Sequence, residues 1–309
     1  MRLRQLEYVT TVARFGSFRQ AAEELHISQP ALSETVKKLE LEFGVSLLDR
    51  HRSGATLSDA GRELLPHMLD AIEAVDRLKR AAGNHLKSSR TVRLGTVGAA
   101  TAPLLTLTIR EFRESHPNTQ LELVIARQQE IQKGLLDGSL DLGLINYLGD
   151  DEISKNFSTT ELLRGKPVVV LHPDDPLTEL ETISADELAR EPLVKMRAGY
   201  VMHRYLEALL GDREPTFSCS TDGAEMGKLL VAEGLGAAVL PDYSVIDDPM
   251  ERRNAITFRE IEDETEVLLV MQRRVGALPS AAVKDLHGIF VTQAREYSER
   301  HHLPRRTAA

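Results

Sequence analysis

Apolar residues recur at helical spacing from the start of the chain. Leu3, Leu6, Val9, Val12 and Ala13 share one face, and Gly16 ends that helix. Ser17 and Gln20 have the spacing of a capping box that opens a second helix of about two turns through Ala21, Ala22 and Leu25. His26 and Ile27 form a turn, and Ser28 is a natural N-cap with Pro30 in the first turn behind it. The third helix runs to about Phe43. Leu32, Val36 and Leu39 form its apolar side; Gln29, Ser33 and Lys37 are expected opposite, with Pro30 and Glu34 beside them. Two short helices and a tight turn, the second exposing amide, hydroxyl and ammonium groups, match a helix-turn-helix that places a recognition helix in the major groove. The alternative is a three-helix core with a merely solvated face. Residues 44–54 favour DNA, because they read as a β-wing whose Arg50 and Arg52 suit phosphate or minor-groove contact.

A long helix follows from Ser58, with Leu65, Met68, Ile72, Val75 and Ala82 at alternating three- and four-residue steps and a bend expected at Pro66. The stripe is either an intrachain support or a seam between two chains. The seam is preferred, since a module reading one half-site benefits from a two-fold partner. Gly83, Asn84, Ser88 and Ser89 mark a hinge. From Thr91 the pattern becomes α/β: VRLGTV, LELVIA, LDLGLI and PVVVL alternate with helical stretches at 101–114 and 128–137, so parallel strands with crossover helices are expected. Further strands are expected near 192–196, 216–220, 236–240 and 265–271, and helices near 200–211, 222–233 and 279–296.

Length and composition then narrow the class. The 309 residues suit two or three domains, and 28% charged with 42% hydrophobic residues is an ordinary globular balance. No apolar run approaches the ~20 residues of a membrane span, and the N-terminus does not read as a secretory signal, so no membrane and a cytoplasmic address are expected. Cys219 is the only cysteine, which excludes an intramolecular disulfide and makes a structural metal improbable. The net charge of −9 hides an asymmetry: residues 1–90 carry 14 Lys and Arg against 12 Asp and Glu, leaving 24 against 35 beyond them. Charge alone therefore does not identify a DNA binder, and the pattern must.

The segment RQLEYVTTVARFGSFRQAAEELHISQPALSETVKKLELEFGVSLLDR, followed by LSDAGRELL, resembles the N-terminal module of LysR-type transcriptional regulators, centred on Ala21, Ala22, Leu25, Ser28, Gln29, Pro30, Ala31, Leu32 and Ser33. Downstream, Gly95, Phe112, Pro117, the Asp137 to Asp141 run and Val231 to Gly236, ending at Pro241, are similar to that family's effector domain. The resemblance spans essentially the whole chain. It implies a winged helix-turn-helix over 1–58, a linker helix and hinge over 59–90, and an effector domain over 91–309. That domain would have the type 2 periplasmic-binding-protein fold of two Rossmann-like lobes, lobe I about 91–162 with 268–300 and lobe II about 163–267. Strands near 163–171 and 265–271 would be the hinges. It also implies operator DNA as partner, self-association as a dimer and a tetramer, contact with RNA polymerase, and a small-molecule effector in place of any cofactor.

The residues expected at DNA are Arg19, Ser28, Gln29, Pro30, Ser33, Glu34, Lys37, Lys38, Arg50 and Arg52. Two depart from the family pattern. Arg52 stands one position early, and Glu34 replaces a residue that is often basic or amide-bearing. Glu34 either accepts from cytosine N4 or faces solvent and weakens non-specific binding, the latter preferred. The seam is expected from Leu65, Met68, Ile72 and Val75.

Ligands of open α/β sheets lie beyond the carboxyl ends of strands, beside helix N-termini. The effector candidates there are Thr96, Thr101, Arg127, Gln128, Arg197, His203 and Thr221. Hydroxyl and amide donors from lobe I facing cations from lobe II point to a small carboxylate or similar anion. Ala99 lacks a hydroxyl often found at its position. Gly95 to Gly98 is too short for a phosphate fingerprint, His301 and His302 have no spaced partner for a metal, and no catalytic constellation is organised. The expected protein is a regulator and not an enzyme. The rival is a cytoplasmic small-molecule-binding or enzymatic α/β protein with an added helical module.

Overall fold

Gly16, at φ 63°, ends the first helix in the left-handed conformation, donating its N–H to the Val12 carbonyl. The computed structural model describes residues 1–51, 54–86, 91–98, 104–301 and 303. They divide into two units, Met1–Ser88 and Ser89–Ala309.

The first unit holds α1 (Leu3–Phe15), α2 (Phe18–Glu24), α3 (Gln29–Phe43), a hairpin of β1 (Leu48–His51) and β2 (Gly54–Leu57), and α4 (Asp59–Leu86). The Ser17 hydroxyl caps α2 by accepting from the Gln20 N–H, and the Ser28 hydroxyl caps α3 by accepting from the Ala31 N–H. The three helices bury Leu6, Val9, Val12, Ala21, Leu32, Val36 and Leu39 in one core. The Glu40 carboxylate accepts from the N–H groups of Leu47 and Leu48, at 2.8 and 3.1 Å, and so ties the base of the hairpin to α3. Helix α4 has 28 residues with Pro66 inside it, a rod of ~42 Å at 1.5 Å per residue.

The second unit has two lobes. In lobe I the strand order is β4 (Gln120–Ile125), β3 (Thr91–Thr96), β5 (Leu142–Leu148), β13 (Val267–Arg274), β6 (Phe157–Gly165). Helices α5 (Thr106–Ser115), α6 (Gln128–Asp137) and α11 (Ala281–His301) pack on it. Lobe II has a sheet ordered β11 (Ala238–Pro241), β7 (Pro167–Leu171), β12 (Thr257–Ile261), β8 (Thr182–Ile183). A parallel pair, β9 (Leu193–Met196) and β10 (Phe217–Thr221), joins β11 through the Leu193–Ala237 bridge. Its helices are α7 (Ala185–Leu188), α8 (Val201–Leu210), α9 (Ala224–Ala232) and α10 (Pro249–Arg252).

The expectation of purely parallel strands is corrected. β13 runs antiparallel to β5 and β6, and β11 and β12 run antiparallel to β7. The chain crosses between lobes twice, and the strand that brings it back points against those that left. The lobe boundaries also shift: β6 belongs wholly to lobe I and β13 starts at Val267, so the crossovers are Lys166 and 262–266. Strands β6 and β12 carry too many polar residues to stand out as apolar runs.

Candidate DNA face and effector cleft

The capped first turn and the buried Leu32, Val36 and Leu39 turn the rest of α3 outward. Gln29, Pro30, Glu34, Lys37 and Lys38 are exposed. Ser33 is half-buried, which corrects its placement opposite the core: at about 100° per residue it lies on the flank. Ser28 is occupied as the cap. Glu34 accepts from Lys38 at 2.7 Å, and that ammonium holds its carboxyl below the usual range. Arg19 is exposed, 4.0 Å from Glu23. Arg50 lies in β1, and Arg52 falls outside the described residues.

The expected seam needs one correction. Met68 is only 4% exposed and belongs to the core of its own winged module, with Leu64, Ala71 and Ile72 packed against that core. The stripe's buried side is therefore an intrachain support. Leu65 and Val75 are half-buried, while Leu69 and Leu78 are exposed. Leu65 and Leu69 line a groove shared with Thr10, Thr11 and Arg14 of α1.

Between the lobes lies a narrow cleft, walled mainly by Val97, Met196, Val201, Met202, Ala224 and Leu240. Three helices begin there, α6 at Gln128, α8 at Val201 and α9 at Ala224, and all three residues line it. Each helix thus sets its first turn, the end that carries unpaired N–H groups and the positive dipole, beside the space. The lobes are close at its rim, where a Cβ on Gly98 would lie 3.2 Å from the Cα of Gly223.

Ion pairs tie the lobes together. Arg127 of lobe I lies 3.3 Å from Asp222 of lobe II, which also binds Arg197 at 2.8 Å. Arg204 of lobe II takes both oxygens of Asp151 of lobe I. The hydrogen bond from Arg197, then the arginine charges, hold Asp222 below the usual carboxylate range. Among the described residues, no group of three His, Cys, Asp or Glu could hold a metal ion, and no helix is long and apolar enough to cross a membrane.

Comparison with known proteins decides the assignment. Residues 3–62 match the bacterial regulatory helix-turn-helix of the lysR family, and residues 86–295 match the LysR substrate binding domain. The chain belongs to the LysR family of transcriptional regulators. This regulator is 27% identical over 303 residues to the HTH-type transcriptional regulator YvbU of Bacillus subtilis, covering 96% of this chain and 98% of that one. It is 29% identical to the RuBisCO operon transcriptional regulator of Allochromatium vinosum, covering 90% and 92%. Full-length CbnR complexed with its target DNA shares the fold, at a TM-score of 0.69 and 22% identity over 96% of this chain and all of that one. The matches are to regulators, and the enzymatic alternative falls away with them.

Within this LysR regulator the expected effector residues separate. Gln128 lines the cavity. Thr96 is fully buried, its hydroxyl donating to the Val97 carbonyl at 2.9 Å, so it is a core residue and not a wall. Thr101 lies outside the described residues. Arg127 and Arg197 are engaged by Asp222 at the rim, which corrects the picture of free cations facing the ligand. His203 donates from Nδ1 to the Met196 carbonyl at 2.8 Å, with Nε2 3.1 Å from Glu207; it braces α8. Thr221 is buried, and its carbonyl accepts from the Arg197 N–H. Asn146 and Tyr200 line the cavity and were missed. A signal for Asn146 existed: an amide inside the apolar run LDLGLINYL needs a buried partner. It has one in the Tyr243 hydroxyl, which donates to Asn146 Oδ1 at 3.1 Å.

Proposed function

We propose that this LysR regulator binds operator DNA as a dimer or tetramer, with α3 in the major groove and the wing on the backbone. A small molecule held between its lobes changes the spacing or bend of the bound dimers. The favoured effector is a small carboxylate or similar anion with an apolar body. One observation carries this reading: three helices start at the wall of an apolar cleft inside the unit that accompanies the winged helix-turn-helix. The helix ends favour a single negative charge, and the walls favour hydrocarbon. Asp222 already neutralises much of the arginine charge at the rim, which disfavours a dianion. The related CbnR complexed with its target DNA supports the DNA partner. RNA polymerase as a further partner and a cytoplasmic address follow from the same reading.

Footprinting the full chain on DNA upstream of its own gene tests it. Paired half-sites about one helical turn apart, and affinity that falls steeply with salt, are expected. Protection without symmetry, or binding indifferent to salt, would overturn the reading. For the cleft, a panel of aromatic and aliphatic monocarboxylates screened by thermal shift should raise the Tm of the native chain and not that of Asn146→Ala.

A further inference from the structure

Helix α3 presents an acid at the middle of its exposed face. With about 100° between successive residues, Glu34 lies almost diametrically opposite the buried Leu32, Val36 and Leu39. Pro30 and Lys38 sit closest to it in angle, one on each side, with Lys37 next, while Ser33 and Gln29 lie further round one flank. Glu34 is exposed, and its Oε1 is paired with the Lys38 ammonium at 2.7 Å.

A duplex bears one phosphate charge per about 1.7 Å of axis, so it repels a carboxylate centred on the surface that docks to it. The exception is a carboxylate that meets hydrogen-bond donors. On base edges in the major groove the donors are cytosine N4 and adenine N6. Adenine sets its N6 beside the N7 acceptor, a pattern that suits the amide of Asn or Gln. A carboxylate only accepts, and cytosine N4 offers donation alone. The central position of Glu34 thus moves its reading from solvent to base edge.

We propose that Glu34 is a specificity-determining residue that accepts from the N4 amino group of a cytosine in each half-site, with Lys38 steadying the carboxylate. This rests on the reading that α3 enters the major groove. Glu34 touches no part of the core, so its variants keep the fold and isolate recognition.

The test selects bound sequences from a library of random duplexes with the full-length protein, its Glu34→Gln and Glu34→Ala variants, and Gln29→Ala as a second probe of the face. The native chain should enrich a cytosine at one symmetric position of both half-sites, by about tenfold over other bases. Glu34→Gln should move that position to adenine and Glu34→Ala should leave it degenerate, with the rest of the consensus intact. An unchanged base at every position in both Glu34 variants overturns the proposal. If Gln29→Ala then alters the consensus, the groove reading stands and only Glu34 is displaced. If neither residue matters, or the native chain selects no sequence, the groove reading falls as well.

Discussion

Arg204 on the second lobe grips Asp151 on the first with both terminal nitrogens, at 3.0 and 2.6 Å. The Asp151 side chain is only 16% exposed, so its carboxylate depends on that partner. Burial pushes its pKa up, but the Arg204 hydrogen bond and the Leu148 N–H outweigh this and leave it below the ordinary range. Arg204→Ala should lower stability by about 1 kcal/mol, between the values for an exposed and a buried pair. The urea midpoint checks this. The double change with Asp151→Ala should recover part of the loss, since no buried charge is then left unpaired.

A second carboxylate sits at the crossover itself. Asp242 accepts from the N–H groups of Lys166 and Tyr243, at 3.1 and 2.6 Å, where β6 passes into β7. Burial, reinforced by Glu260, pushes its pKa up to about 6 despite those two donors. The folded chain therefore holds this proton more tightly than the unfolded chain, whose aspartate titrates near 3.9. Stability from this group is full below about pH 4 and is lost as pH rises to about 6, by on the order of 2 kcal/mol. Urea midpoints across pH 4–8 should show that loss in the native chain and not in Asp242→Asn. An identical profile in the variant would assign the pH dependence elsewhere.

On DNA, the exposed ends of α3 should separate by chemistry. Gln29→Ala should lower the ratio of operator to random-duplex affinity by about 1–3 kcal/mol if it loses a base contact. Lys37→Ala should weaken both duplexes alike and make the salt slope shallower by about one. Titrations at two or more salt concentrations distinguish them.

The helix caps, the core stripes and the ends of the recognition helix were legible because they depend on neighbours three or four residues away. Ser28, Pro30 and Leu32 declare their roles locally. The cleft was less so. That Arg127 and Arg197 share Asp222, or that Tyr243 orients Asn146, depends on pairs that only the fold brings together, 95 and 97 residues apart in the first and last of these. Thr96 misled because a hydroxyl at a strand end reads as a ligand donor until the carbonyl of the next residue, Val97, is found to take the bond.

The α4 stripe had two possible faces, and periodicity did not tell them apart. Met68→Ala should destabilise the winged module by about 2–4 kcal/mol, as a core truncation does. Leu69→Glu, on the exposed side, should leave the fold intact and convert the dimer to a monomer in sedimentation. A dimer that survives Leu69→Glu would place the seam off this groove.

The wing meets the C-cap of α1 through a backbone hydrogen bond. The Ala55 N–H donates to the Gly16 carbonyl at 2.8 Å, and a Cβ on Gly54 would lie 2.3 Å from that same oxygen. With Glu40 fixing the other end of the hairpin to α3, the module behaves as a calliper whose jaws are locked. On the proposed reading, in which α3 enters the groove and the wing meets the backbone, the span from α3 to the base of the wing is set by the fold. Operators of differing length must be met by moving whole modules relative to one another, so insertions in the DNA should be tolerated between half-sites and rejected within them.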